Sequence, residues 1–261
     1  MYKSQIILSQ QVQVERGEFM RDRFCMTQEE NIFCAKRILV DSIYKQANLE
    51  GIGITFANTQ DILNNVNVAN LTPTEVSKVC CLRDGWKYLL DRLSAPTDFV
   101  FMQELHEIVA RFDVGYQYLG KFRIENVLIS GTSWRPSLPD PNRMWDEMQE
   151  ILALPGDTDR AVTLGLWTMR TQPFKDGNKR IGSFLINKIL IEKGRGIFNV
   201  PVEKDGEFKQ MLVDFYESGF DGYMKDWIEV NCLDGTVLVS DDKNAALGVS
   251  DGVKKAQQPK L

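Results

Sequence analysis

The sequence predicts a mostly α-helical fold with one small β-hairpin. Three observations carry this. Apolar residues recur at helical spacing through most of the chain, as in TDFVFMQELHEIVARF (97–112) and RIGSFLINKILIEKG (180–194). Thr72, Pro73 and Glu75 form a capping box with proline at the first helical position. Only NVLISGTSWRPSLPD (126–140) is β-prone, with a glycine turn at Gly131 and a proline-rich continuation.

Taken in order, LTPTEVSKVCCLRDGWKYLLDRLS (71–94) is a helix started by that box. On 97–112, Met102, Leu105, Ile108, Val109 and Phe112 share a face, and His106 sits beside Leu105 as a core-edge histidine donating to a backbone carbonyl. RMWDEMQEILALPG and DTDRAVTLGLWTMRT are two helices parted at Pro155 and Gly156. On 180–194, Ile181, Phe184, Leu185, Ile189 and Leu190 face inward. GEFKQMLVDFYESGF and GYMKDWIEVNCL complete the helices, and the polar stretch 240–261 lacks periodicity.

Composition excludes several classes of function. The 261 residues are 43% hydrophobic and 26% charged, ordinary for a globular chain. Net charge is -5 with scattered Lys and Arg, so no nucleic-acid footprint is present. No apolar run approaches a membrane span, which argues against a membrane partner. The five cysteines lack CxxC spacing, and Cys80 and Cys81 adjoin, which fits a reduced, cytoplasmic protein.

The chemistry concentrates in TQPFKDGNKRIGSF (171–184). One helix ends near Thr171 and the next starts near Asn178 or Lys179, with Gly177 in the loop between. First-turn N–H groups lack intrahelical partners and carry the positive end of the dipole. Gly177 permits close backbone approach, and Lys179 and Arg180 add charge, which resembles a phosphate-binding helix start. Asp176 is placed to hold a magnesium ion on such phosphates. The same spacing also fits a plain helix start capped by Asp176, with solvated cations.

QPFKDGNKR resembles the signature of the Fic family, His-Pro-Phe-x-Asp/Glu-Gly-Asn-Gly-Arg. Pro173, Phe174, Asp176, Gly177, Asn178 and Arg180 fit it. GKFRIENVLISGTSWRPSLPD (120–140) is similar to the Gly-x-Tyr/Phe-Arg segment and target-docking flap of that family. MQELHEIVARF (102–112) resembles the preceding helix. YKQANLEGIGIT (44–55) resembles the inhibitory segment Ser/Thr-x-x-x-Glu-Gly/Asn of one Fic class, with Gln46 at the hydroxyl position. The resemblance implies a Fic-type helical bundle. It divides the chain into an N-terminal helical region with the inhibitory-type segment (1–70), a Fic core (71–235) and a flexible C-terminal tail (236–261).

The family transfers AMP from ATP, with Mg2+, to a hydroxyl of a target protein. By resemblance Asp176 holds the metal, and Gly177, Asn178, Lys179 and Arg180 surround the phosphates. Asn178 also belongs to the catalytic motif. Thr132, Ser133 and Trp134 align an unknown target along the flap, and Glu50 is the inhibitory glutamate. A homodimer is compatible with the family. Gln172 occupies the place of the family's general base, and an amide lacks the basicity for that role. The string is the same whether Gln172 is inherited or introduced in place of a His. Lys179 replaces a glycine and is shared with the Doc type, which transfers phosphate. Ser183 replaces the second arginine, so Glu50 is expected to pair with Arg180 or Lys179. Three readings stay open: a weak or inactive adenylyltransferase that binds Mg-ATP, a pseudo-enzyme binding nucleotide or protein, and a Glu50-dependent AMP-removing enzyme or Doc-like phosphotransferase.

Overall fold

The computed structural model describes residues 19–236. Among them, ten α-helices run in chain order: α1 (Gln28–Arg37), α2 (Leu39–Leu49), α3 (Phe56–Leu63), α4 (Pro73–Asp91), α5 (Phe99–Val109), α6 (Pro141–Leu152), α7 (Asp157–Thr171), α8 (Asn178–Lys193), α9 (Asp205–Ser218) and α10 (Gly222–Asn231). Strands β1 (Ile197–Phe198) and β2 (Leu233–Asp234) pair antiparallel, Ile197 opposite Asp234 and Phe198 opposite Leu233. The stretch 240–261 lies outside the described residues, so the tail assigned to 236–261 is described only at its first residue.

Local chemistry sets the helix starts. Thr72 and Glu75 form the expected capping box on α4, with Pro73 in its first turn. Thr27 and Glu30 form a second box on α1. Each leaves two fewer orphan N–H donors at its helix end.

Helix α8 is the axis of the fold. Its expected inward residues Ile181, Phe184, Leu185, Ile189 and Leu190 are buried, but so are Ile186, Asn187, Lys188 and Ile191. It is therefore enclosed on all sides rather than amphipathic. Lys188 survives there because its ammonium donates to Leu93 O (2.6 Å) and to Glu192 (2.7 Å). Helix α7 crosses α8 at two glycines. A Cβ on Gly182 would stand 2.6 Å from Gly165 O, and one on Gly165 would stand 2.3 Å from Ile186 Cγ1. Only bare backbone permits that approach. Trp86 of α4 meets Phe184 edge-on at 5.6 Å, and Leu82, Leu105 and Met102 close the same core. Ile43, Ala47 and Leu49 of α2 and Ile62 of α3 belong to that core too. Lys225 ties α10 to α7 through buried Asp159 (3.0 Å) and also pairs with Asp221 (2.9 Å).

Two expectations need correction. The segment 126–140 contains no strand; it is extended and irregular, and the strand pair sits instead at 197–198 and 233–234. Its β-prone residues find no neighbouring ladder, and side chains take its backbone polar groups instead. Phe112 is not on the buried face: α5 stops at Val109, and Phe112 lies 48% exposed beyond it.

Candidate active site

The loop between α7 and α8 is built by its own sequence. Gln172 caps α7 in the left-handed region, φ 51°, one of two non-glycine residues there among those described. Side chains rarely sit so without local hydrogen bonds. Gln172 has them: Nε2 donates to Met169 O (2.6 Å), and Oε1 accepts from Asn178 Nδ2 (2.8 Å). Asn178 Nδ2 also donates to Phe174 O, and Asn178 Oδ1 accepts from Phe174 N, both at 2.8 Å. The amides of Gln172 and Asn178 thus staple the loop shut. The buried Tyr216 hydroxyl stands beside Gln172; burial pushes it above the ordinary tyrosine range, against the opposing hydrogen bond to Gln172.

His106 holds the loop from below. Its ring is buried and stacked on Phe174, centroids 4.1 Å apart and 10° from parallel. Nδ1 accepts from Gly120 N–H at 3.0 Å. The proton therefore sits on Nε2, which donates to Asp176 O at 3.1 Å. Burial, first, and the Arg180 charge lower its pKa to about 4, against hydrogen bonding to Asp176 and nearby carboxylates. The expected carbonyl donation is present, and the carbonyl belongs to the motif loop itself. His106 is thus committed to holding that loop, and its ring is not the missing base.

Helix α8 then begins at Gly177, φ 79°, with no side-chain cap from that residue. A Cβ there would meet Ala110 Cβ at 3.4 Å, so the loop lies close on α5's end. The first helical bond runs from Ile181 N to Gly177 O. The N–H groups of Asn178, Lys179 and Arg180 have no intrahelical acceptor. Asp176 is 57% exposed; its Oδ1 accepts from Gly177 N (2.5 Å) and lies 3.5 Å from Arg180 Nη2. Asp176 therefore closes the turn before the helix and caps none of its first-turn N–H groups, and its carboxylate remains accessible.

Charges around this start are balanced. Arg180 is buried; it donates to Val109 O (2.7 Å) and to Asp113, which also holds Lys78 at 2.7 Å. Glu50, at the end of α2 before Gly51 (φ 81°), places Oε2 3.1 Å from Arg180 Nε and Oε1 3.3 Å from Lys179 Nζ. Lys179 Nζ also donates to Leu49 O at 3.1 Å. Burial opposes the Arg180 charge, while Glu50 and Asp113 push its pKa above the ordinary range. The pairing of Glu50 with both Lys179 and Arg180 matches the expectation drawn from Ser183. Gln46, where a hydroxyl was expected, accepts from Trp86 Nε1 at 3.1 Å.

The flap is anchored by residues that the sequence did not single out. Buried Arg123 donates to Gln172 O (2.6 Å), Glu125 O (2.9 Å) and Ser137 O (2.5 Å), while its own N–H donates to Pro173 O (2.9 Å). One guanidinium thus joins both limbs of the flap to the motif. Glu217 of α9 accepts from Thr132 Oγ1, Ser133 N and Ser133 Oγ. Trp134 lies on the Arg170 guanidinium, 3.7 Å from ring centroid to Cζ. Thr132 and Ser133 are therefore held on α9, while the Trp134 ring lies on α7 just before the motif. Arg123 carried a signal in GKFR; Asp113 and Glu217 carried none, because their partners lie 67 to 85 residues away.

Chemically, a helix start with free N–H groups, a glycine and a lysine binds oxyanions. A single accessible carboxylate suits a metal carried in on phosphates, since Mg2+ is held by one or two carboxylates plus substrate oxygens. Among the described residues, no group of three or more His, Cys, Asp or Glu could form an all-protein metal cage. No helix of the described residues is long and apolar enough to cross a membrane.

Comparison with known proteins bears on the fold. Residues 96–190 match the model of the Fic/DOC family. No curated protein matches the chain. Among solved structures, Fic-1 (residues 134–508) of C. elegans is 18% identical at a TM-score of 0.65, over 76% of this chain and 62% of that one. A Fic-domain-containing signaling protein of Bacteroides thetaiotaomicron is 18% identical at 0.61, over 72% and 75%. A Fic family protein of Desulfovibrio desulfuricans is 14% identical at 0.58, over 86% and 68%. At these identities the likeness is one of fold.

Proposed function

We propose that the chain, whose residues 96–190 match the Fic/DOC family model, holds the phosphates of a magnesium nucleotide, ATP foremost, at the start of α8 while transferring AMP weakly or not at all. The observation that carries this is the loop at 172–178. It keeps an anion-binding helix start rigid with Gln172 in the position where the reaction needs a base.

The residues fit a phosphate-borne metal. Asp176 would hold it, and the metal would supply charge neutralisation at the phosphates. The N–H groups of Asn178 and Lys179 lack intrahelical acceptors and would bond the phosphate oxygens, and Gly177 makes the left-handed turn that starts the helix there. Lys179 is tied to Glu50 and Leu49 O, so it reaches phosphate only after Glu50 moves. This supports Glu50 as the inhibitory residue: it neutralises the cations an anion would use. Arg180 stays bound to Asp113 and Val109 O and acts chiefly through its charge. Thr132, Ser133 and Trp134 would line the docking path of a target protein.

Gln172 cannot take the proton of an attacking hydroxyl, because an amide has no usable basicity near neutrality. Both ends of its side chain are also engaged. Loss of a positioned base costs roughly 10²- to 10⁴-fold in rate. Binding without turnover is therefore the favoured form of the activity. Glu50-dependent AMP removal has less support, since both Glu50 oxygens face cations.

Calorimetric titration of Mg-ATP into the protein, into Asp176→Ala and into Glu50→Gly tests the reading. Binding is expected to strengthen in Glu50→Gly and to fall in Asp176→Ala. No heat in either the native chain or Glu50→Gly overturns the nucleotide site. Gln172→His with ATP labelled at the α or γ phosphate then separates chemistries. Transfer of the α label marks AMP transfer, transfer of the γ label alone marks a Doc-like phosphotransferase, and neither marks a binding module.

A further inference from the structure

The turn at Thr132 and Ser133 converges three donors on one carboxylate. Ser133 N–H donates to Glu217 Oε1 at 2.5 Å, Thr132 O–H donates to the same oxygen, and Ser133 O–H donates to Oε2 at 2.8 Å. No cation takes part in these bonds. Glu217 arrives from α9, more than eighty residues away in sequence, and both it and Ser133 are exposed. Such charge-assisted bonds are stronger than neutral ones, and they hold the Glu217 carboxyl down to about 2.

Part of the turn is also held by bonds that do not involve Glu217. Trp134 N–H donates to Thr132 Oγ1 at 2.9 Å, orienting that hydroxyl. Arg135 Nη1 donates to Thr132 O (3.2 Å) and Trp134 O (3.0 Å). The Trp134 ring rests on Arg170, whose guanidinium donates to Tyr216 O at 3.2 Å. The backbone around Thr132 and Trp134 is thus braced by Arg135 within the turn and by Arg170 of α7, which lowers the cost of presenting the donors to a carboxylate. Two hydroxyls and one amide, with no Lys or Arg aimed among them, suit the single charge of a carboxylate better than a phosphate.

We infer that this turn is a carboxylate-recognition site, that Glu217 is its resident occupant, and that a target chain docks on the flap through an acidic side chain that takes Glu217's place. The second half rests on the flap being the target-docking surface, as proposed above. Its logic is competitive. A chain pairing with the flap in an extended form needs the Ser133 N–H, and Glu217 already holds it. An acidic residue on the target repays that loss with the same three bonds; a neutral residue does not. Glu217 therefore selects against targets without a carboxylate at this position.

The test uses the full chain with Glu217→Ala, and Glu217→Gln as a milder second variant, followed by the amide signals of Ser133 and Trp134 in 1H–15N NMR. Removing the carboxylate is expected to shift both signals, and added acetate to return them toward their native positions. Acetamide, of the same shape without charge, is expected to leave them unmoved. Acetate without effect, or acetamide with an equal one, overturns the carboxylate site. Next, a Thr/Val-rich extended peptide with one Glu is titrated beside its Gln counterpart. The Glu peptide is expected to bind Glu217→Ala about tenfold more tightly than the Gln peptide, and native protein more weakly than the variant. Equal binding, or none by either peptide, overturns the target half and leaves Glu217 an internal tether. Neither experiment uses nucleotide, so both read the flap even where the nucleotide site fails.

Discussion

Acidification should unfasten the motif loop through one side chain. His106 is the only histidine in the chain. It is buried, neutral, and committed at both nitrogens: Nδ1 accepts from Gly120 N–H and Nε2 donates to Asp176 O. Its folded pKa is lowered to about 4, against an ordinary value near 6.5. The unfolded chain therefore binds the extra proton first as pH falls. The stability tied to the neutral ring is complete above about pH 6.5 and drains as pH drops toward 4. At about 1.4 kcal/mol per unit, the displacement amounts to about 3 kcal/mol. Protonation also removes the Nδ1 acceptor, so Gly120 loses its partner and the new charge faces Arg180. Urea unfolding of the native protein and of His106→Gln, stepped from neutral pH to about pH 4.5, isolates the effect. The variant bears a constant loss from the missing stack and hydrogen bonds, and the native advantage should shrink steadily on acidification. A difference that stays flat with pH refutes the reasoning. So does a directly titrated imidazole: its lone ring signal in NMR should turn over near pH 4, and a midpoint near 6.5 contradicts the buried, neutral ring.

Other perturbations probe the scaffold. Gly182→Ala forces a Cβ to 2.6 Å from Gly165 O at the α7–α8 crossing. A loss of about 1–3 kcal/mol or more is expected in denaturant unfolding, and a neutral result would mean the helices can part. Arg123→Met leaves Gln172 O, Glu125 O and Ser137 O without their shared donor and removes a buried guanidinium from between them. It should destabilise by about 3 kcal/mol or more and speed amide exchange in both the flap and residues 172–177, whereas a change confined to one would break the proposed link. Thr72→Ala removes one half of the α4 capping box. It should cost about 1 kcal/mol in thermal unfolding, without changing Mg-ATP binding.

The sequence by itself determined the helices and the ends of the site. Capping at Thr72, the stop at Thr171 and the start at Asn178 are decided by hydrogen bonds between residues a turn apart, so local spacing suffices to read them. His106 was legible as a carbonyl donor, and the Gln172 amide as a hydrogen-bonding rather than a basic group, since side-chain chemistry alone dictates both. Only the tertiary structure decided the partners. It gave His106 the carbonyl of Asp176, and it stacked the ring on Phe174 from another element. It put Asp113 on Arg180 and Glu217 on the flap, across separations that no periodic pattern encodes. It also left the β-prone run at 127–129 without a ladder and made strands of two residues each at 197–198 and 233–234. A strand exists only where a second backbone lies alongside it. That neighbour is supplied by the packing of the whole chain rather than by residues nearby in sequence.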